Sequence, residues 1–187
     1  MSNAKLNFKS PKGDFKWCFI TGQGRTNALN GKSEYSVNVV VPIADAKAAV
    51  EQLDDFWAQN KPKGAKTAKS MGYKVSEDGQ NATFTFKTQT TFPTGEAKKV
   101  RIYNAAGEEI SMPADTRIGN GSRGRVAGVA AVYDAGAAAR GVSLFLDSVQ
   151  LTKFVPYTNG AGFDPEEDEG GFDGFAQAKL FERDEEV

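Results

Sequence analysis

The sequence contains no histidine and only one cysteine, Cys18. Without histidine there can be no Ser-His or Cys-His nucleophile pair, and the commonest metal ligand in proteins is missing. A structural zinc site is excluded as well, because such sites are built from cysteine and histidine. One cysteine cannot form an internal disulfide bond, which is typical of a protein from a reducing compartment.

The sequence also lacks any run of about 18 apolar residues, the length that a transmembrane helix requires. Its first residues lack the apolar core of a secretory signal peptide. We therefore expect no transmembrane helix and no export.

Two motifs that resemble ligand sites fail on their spacing. Six residues separate Gly24 from Gly31-Lys32, whereas a phosphate-binding P-loop has four and is followed by a helix. Counted from Asp164, a calcium loop needs glycine at position six and glutamate at position twelve, where this chain has Glu169 and Phe175. We therefore expect no cofactor, no dedicated metal site and no enzymatic activity.

Charge is distributed very unevenly along the chain. Residues 164–187 contain ten acidic and two basic residues, a net charge of −8. Since the whole chain carries −1, residues 1–163 carry +7. Such asymmetry indicates a polyanion or a membrane as the partner of the basic part. Of these we expect the polyanion and no membrane partner.

The pattern of apolar residues predicts a mainly β domain over residues 1–158, followed by an acidic tail, residues 159–187, that we expect to be disordered. Several short alternating segments separated by turn residues predict a small Greek-key barrel. One segment changes to helical spacing and places Ala49, Leu53, Phe56 and Trp57 on a single stripe.

Aromatic residues in the predicted strands are assigned to the core. Phe84 and Phe86 alternate with polar residues, and Phe15, Trp17 and Phe19 are in phase with one another. Because large aromatic side chains mostly serve cores, we expect Trp17 to be buried rather than to form a stacking platform.

Three segments combine cations with aromatic or small residues, the composition that binds single-stranded nucleic acid through phosphate contacts and base stacking. The first is a lysine-rich loop, the second a strand face with a tyrosine, and the third a strand after a glycine-rich turn. Each alone is also typical of an ordinary solvated surface. The candidate DNA-binding residues are Lys63, Lys66, Lys69, Tyr73, Lys74, Lys99, Arg101, Tyr103, Arg123 and Arg125.

The stretches "RIGNGSRGRVAGVAAVYD" and "GVSLFLDSVQLTKF", followed by an acidic tail, resemble the single-stranded DNA-binding proteins of tailed bacteriophages. The resemblance implies an OB-fold barrel that coats and protects single-stranded DNA in phage replication and recombination, in the cytoplasm of the bacterial host. It also implies that the tail contacts phage or host replication proteins. Related tails often end in an aromatic residue, whereas this chain ends in "DEEV".

The tail suggests a hypothesis of its own. It can mimic a polyanion, compete with DNA for the basic domain, and recruit replication proteins once DNA displaces it. The tail residues assigned to partner contacts are Phe172, Phe175, Phe181, Asp184, Glu185 and Glu186.

The oligomeric state stays open, and a homo-oligomer is possible. Two alternative functions also stay open. One is a general nucleic-acid annealing or chaperone protein that also binds duplex DNA or RNA. The other is a non-enzymatic phage structural or assembly protein.

Overall fold

The computed structural model describes residues 4–136 and 138–157, which form ten β-strands and one α-helix. In chain order the elements are β1 (Lys5–Lys9), β2 (Gly13–Phe19), β3 (Arg25–Thr26), β4 (Ser33–Pro42), α1 (Ile43–Asn60), β5 (Tyr73–Val75), β6 (Asn81–Gln89), β7 (Arg101–Tyr103), β8 (Glu109–Ile110), β9 (Arg123–Asp134) and β10 (Arg140–Lys153).

Five of these strands close into a barrel. Their order around the barrel is β2, β4, β6, β10 and β9, and β9 pairs with β2 to complete the circuit. All neighbours are antiparallel except β6 and β10, which are parallel. This is the five-stranded Greek-key arrangement of an OB-fold, and it bears out the predicted mainly β barrel with one main helix.

The shorter strands extend the sheet at the sides of the barrel. We call the end of the β9–β10 pair at Asp134 and Arg140 the upper end, and the end at Arg123 and Lys153 the lower end. Strand β1 pairs with β9 in the upper half, from Ala127 to Ala131, and β7 pairs in parallel with β10 in the lower half. On the side away from β9, β10 therefore pairs with β6 at Leu144 and Phe145 and with β7 from Ser148 to Gln150.

The core lies inside the barrel and obeys the predicted alternation. Phe84 and Phe86 of β6 are fully buried, as are Val37 and Val39 opposite them on β4. Phe8 of β1 packs against both phenylalanines, with ring centroids 5.8 and 6.1 Å apart. The prediction that Phe84 and Phe86 belong to the core is confirmed.

Helix α1 covers the barrel with the predicted stripe. Ala49, Leu53, Phe56 and Trp57 are all buried. The helix ends at Asn60, just before the segment that contains Pro62. Within the described residues no helix is both long enough and apolar enough to cross a membrane.

The prediction for Trp17 was wrong. Phe15 is buried as expected, but a β-bulge between Lys16 and Phe19 interrupts the pairing of β2 with β4. The extra residue shifts the alternation, so that Cys18 turns into the core and Trp17 is left 61% exposed. Burial raises the pKa of the Cys18 thiol to about 12, which keeps it protonated and unreactive at neutral pH.

The predicted tail, residues 159–187, lies outside the described residues, and so do all six residues assigned to its partner contacts. The domain boundary at residue 158 stays a prediction.

Candidate nucleic-acid interface

Strand β10 lies at the centre of an outward-facing surface that we call the β10 face. Its side chains alternate between the core and this surface, and a bulge at Asp147 keeps Ser143, Phe145, Ser148 and Gln150 on the outer side. The pairing registers place neighbours from β1, β6, β7 and β9 beside them. The β10 face consists of Lys5, Asn7, Lys9, Lys87, Arg101, Tyr103, Arg125, Ala127, Val129, Ala131, Ser143, Phe145, Asp147, Ser148 and Gln150.

Small residues on β9 form the floor of this face. Ala127, Val129 and Ala131 are its outward side chains between the lysines of β1 on one side and β10 on the other. Gly128 is required at its position because a Cβ atom there would collide with the backbone oxygen of Phe145. The small floor leaves open hollows of about 300 to 380 Å³ beside Lys9.

The lower half of the β10 face brings together predicted residues from separate segments. Gln150 of β10 is in register with Tyr103 of β7 on one side and with Arg125 of β9 on the other. Tyr103 and Arg125 line the same hollow, which also includes Lys9 of β1. The sequence contained these side chains in separate motifs, and the sheet places them in one row.

Arg101 belongs to the adjacent row, in register with Ser148. The Tyr103 side chain beside it raises the pKa of Arg101, and the carboxylates of Glu109 and Asp147 act in the same direction. Lys99, two residues earlier, is exposed. This edge of the face therefore offers positive charge next to a tyrosine ring.

The upper half of the β10 face opens into a groove of about 500 Å³ between β6 and β10. Its lining includes Lys74 of β5, Lys87 of β6, Tyr133 of β9 and Phe145 of β10. Phe145 is 50% exposed, unlike the leucines on either side of it. A ring held in this way next to two lysines has the composition of a stacking site.

Tyr73, another predicted site residue, lines the upper groove and also contacts the helix. Its ring lies 6.1 Å from that of Phe84, and its hydroxyl donates a 2.8 Å hydrogen bond to Asp54 of α1. Burial, together with that hydrogen bond, raises the pKa of Tyr73 to about 12. Tyr73 thus links β5 to the helix.

The remaining lysines of the predicted loop, Lys63, Lys66 and Lys69, are exposed. Lys69 is held against the start of β10, because its backbone N–H donates to the carbonyl of Arg140. The next residue, Ser70, lines the upper groove. The loop therefore borders the upper end of the β10 face.

Arg123 differs from Arg125 in having an acidic partner. Its Nε lies 3.0 Å from a carboxylate oxygen of Asp14 on β2, and both side chains are about half exposed. An exposed pair of this kind is worth about 0–1 kcal/mol, so a phosphate group can compete for Arg123.

Sequence reasoning missed Lys5, Lys9, Lys87 and Phe145. A signal for each was available, since "KLNFK" alternates lysine with apolar residues and Phe145 lies between two inward leucines. What the sequence could not show was that β1 and β6 lie on either side of the β9–β10 pair.

OB-folds commonly bind oligonucleotides across their second and third barrel strands, which here are β4 and β6. Apart from Glu34 and Lys87, the residues on the outward side of these two strands are uncharged, and they include Ser36, Asn38, Val40, Thr83 and Thr85. The cations are concentrated on the neighbouring β10 face instead. Among residues 4–136 and 138–157 there is no cluster of three cysteine or acidic side chains that could hold a metal ion.

Comparison with known proteins finds matches among solved structures. No family model and no curated protein matches the chain. Bacteriophage T7 gp2.5, a single-stranded DNA-binding protein, is 22% identical with a TM-score of 0.57, over 90% of this chain and 98% of that one.

The single-stranded DNA-binding protein of bacteriophage Enc34, solved in complex with single-stranded DNA, is 15% identical with a TM-score of 0.58, over 80% of this chain and 88% of that one. These similarities extend over most of all three chains. The described part of this chain therefore has the fold of phage single-stranded DNA-binding proteins, as the resemblance in the sequence implied.

Proposed function

We propose that this protein binds single-stranded DNA along the β10 face, and that it coats and protects such DNA in phage replication and recombination. The single observation that carries the proposal is the β10 face itself, where five cations from four strands surround small residues and an exposed phenylalanine. The likeness in fold to two phage proteins of that function supports it.

The proposed mechanism is binding without chemical reaction. Lys9, Arg101 and Arg125 would hold the phosphates in the lower half, and Lys87 those in the upper half. Phe145 and Tyr103 would stack on bases, which adds about 1–3 kcal/mol per base. Between Ser143 and Gln150 β10 extends over roughly 23 Å at about 3.3 Å per residue, enough for several nucleotides.

The exposed ring of Phe145 favours single strands over duplex DNA. In a duplex each base is already stacked on its neighbours, so a ring can replace that stacking only if the base is first unstacked. A general annealing or chaperone protein would bind duplex DNA or RNA about as well as a single strand. Competition between oligothymidine and a duplex of the same length distinguishes the two functions.

The binding experiment is fluorescence anisotropy with a labelled oligothymidine at several salt concentrations. We expect the full chain to bind, with log affinity falling by about 0.7 per phosphate contact for each tenfold rise in salt. Replacing Lys9, Arg101 and Arg125 together by alanine should lower that slope by about 2, because three contacts are lost.

The control is Lys47→Ala, which removes an exposed cation from α1, away from the β10 face. It should leave affinity and slope close to those of the unmodified chain. A loss in the control of about one third of that in the triple variant would show that only overall charge matters. No binding even at low salt would overturn the proposal and favour the structural or assembly protein.

We further propose that the acidic tail competes with DNA and recruits phage or host replication proteins. The support is the charge distribution alone, −8 for residues 164–187 against +7 for the rest. Competition of this kind weakens with salt, since charges are screened beyond about 8–10 Å at physiological ionic strength.

The tail proposal is tested in the full chain by replacing Glu166, Glu167 and Glu169 with glutamine and Asp168 with asparagine. We expect tighter binding to oligothymidine at low salt, and a difference that shrinks as salt is raised. Unchanged affinity would contradict competition and leave the recruitment of replication proteins to be tested by pull-down of those proteins with the intact tail.

A further inference from the structure

A second exposed aromatic cluster lies beyond the lower end of the β10 face. Its hollow, of about 90 Å³, is lined by side chains from three segments of the chain. We call it the Trp17 patch, and it consists of Trp17, Phe19, Arg117, Ile118, Asn120 and Tyr157 together with the buried Cys18.

Trp17 is held outward by an unusual backbone. Its φ of +51° makes it the one non-glycine residue with positive φ among the described residues. That conformation is costly for a bulky residue. The Trp17 N–H donates a 3.1 Å hydrogen bond to Oδ1 of Asn120, which fixes the bulge in place. The strain keeps a large apolar ring in solvent, where it contributes little to the core.

The neighbours of Trp17 add a cation and a second ring. Arg117 is exposed, and its guanidinium lies 5.9 Å from the centre of the Tyr157 ring, a cation–π distance. Tyr157 is itself 53% exposed. An anionic partner that also presents flat rings would match both features.

The patch is continuous with the β10 face, because the chain just before β9 and the chain just after β10 stay paired with each other. Beyond the end of β10, the backbone N–H of Gly119 donates to the carbonyl of Val155, and that of Tyr157 donates to the carbonyl of Arg117. Ser122 binds both backbone groups of Val155 through its hydroxyl. The segments that carry Arg117 and Tyr157 therefore prolong the β9–β10 ladder.

We infer that the Trp17 patch is a base-stacking site that extends the single-stranded DNA path beyond the β10 face. Trp17 and Tyr157 would stack on bases, and Arg117 and Arg123 would contact the phosphates between the two surfaces. Tryptophan, tyrosine and arginine also dominate protein–protein contacts. The continuity with the β10 face and the exposed cations favour DNA, and a protein partner is an outcome of the test. This inference rests on the proposed function.

The test uses full-length variants and the intrinsic fluorescence of tryptophan. The chain has two tryptophans, and the other one, Trp57, is on the buried side of α1. Oligothymidine should quench the unmodified chain, because stacking on Trp17 removes its emission. Trp17→Phe retains a ring and leaves only Trp57 to emit, so it should keep most of the affinity and lose the quenching.

Trp17→Gly removes the ring at a position where glycine accepts positive φ without strain, so the fold should be kept. We expect its affinity for oligothymidine to fall about fivefold or more, the equivalent of one lost base stack of about 1–3 kcal/mol. Urea unfolding of the same variant checks that it is as stable as the unmodified chain.

Measuring Arg125→Ala in the same series separates the two proposals. If Arg125→Ala weakens binding but Trp17→Gly does not, and no quenching is seen, the inference is overturned while the β10 face stands as the DNA site. The patch would then be the better candidate for a protein partner. If the unmodified chain binds no oligothymidine, the proposed function itself fails.

Discussion

The outer surface of helix α1 and the β10 face carry opposite charges on one small domain. The exposed residues of the helix include Asp45, Glu51, Asp54 and Asp55, against one cation, Lys47. The β10 face has five cations and one acid. The net charge of +7 outside the tail is therefore not spread evenly, and its position rather than its size indicates where a polyanion would bind.

The two surfaces also differ in what their apolar residues do. Those of α1 face inward and stabilise the barrel, whereas Phe145 on the β10 face is directed outward. Substitutions of the buried apolar residues of α1 should therefore change stability without changing DNA affinity. Substitutions of Phe145 and the cations on the β10 face should change DNA affinity with little change in stability.

The largest expected effect is on stability, from Leu53→Ala on the buried stripe of α1. Leu53 is fully buried, and removing a buried leucine side chain costs about 2–5 kcal/mol. Urea denaturation followed by circular dichroism measures the loss. Oligothymidine affinity at a temperature where the variant stays folded should be unchanged, and a large drop there would mean that α1 takes part in binding.

Phe145→Ala should produce the opposite result. Because half of the side chain is exposed, the free energy of unfolding should change by less than about 1 kcal/mol. Affinity for oligothymidine should fall by about 1–3 kcal/mol if the ring stacks on a base. Phe145→Tyr is the matched control, which keeps the ring and should bind as well as the unmodified chain.

Tyr73→Phe tests how much the hydrogen bond between Tyr73 and Asp54 of the helix contributes to stability. Loss of the hydrogen bond to Asp54 should cost about 0.5–1.5 kcal/mol of stability and leave DNA affinity unchanged, because the ring remains. A selective loss of affinity would show that the Tyr73 hydroxyl itself contacts DNA.

The same variant has a signature in pH. The pKa of Tyr73 is raised from 10.0 to about 12, so the protonated phenol is favoured in the folded state. Its contribution to stability is present below pH 10 and is lost as pH rises through about 12. Between about pH 10 and pH 12 the unmodified chain should therefore lose more stability than Tyr73→Phe.

The smallest effect expected is from single charges. Arg125→Ala should weaken oligothymidine binding by about 0.2–1 kcal/mol, the usual range for one exposed charge pair. Lys47→Ala removes the same charge from the helix side and should have no measurable effect. If Arg125→Ala and Lys47→Ala had the same affinity for oligothymidine, the β10 face would not differ from the helix surface in DNA binding.

Much of the fold could be predicted from alternation, because each strand buries one face. The fully buried Phe84 and Phe86 and the helical stripe around Leu53 follow that rule. Trp17 breaks it, since the bulge in β2 inserts one residue and reverses the side on which Cys18 and Trp17 lie. Hydrogen bonding to Asn120, 103 residues away in sequence, is a determinant that local pattern does not contain.

The candidate site could be predicted in part for a similar reason. Arg101, Tyr103 and Arg125 were visible as exposed positions, because a strand's outward residues can be counted along the chain. Tyr73 was chosen on composition, and its contacts with Phe84 and Asp54 involve other elements of the fold. Lys9 and Lys87 had no reason to be grouped with the others until the strands were paired.

The sequence by itself determined the class of this protein: a β barrel with one helix, a strong separation of charge, and no histidine for catalysis. These properties depend on local periodicity and on composition, which a linear pattern contains in full. Tertiary structure alone decided that four strands contribute to one cationic face along β10, and that Trp17 stands outside the core. Register and strand order arise from contacts between distant residues, so only the folded chain defines the surface that a single strand of DNA would meet.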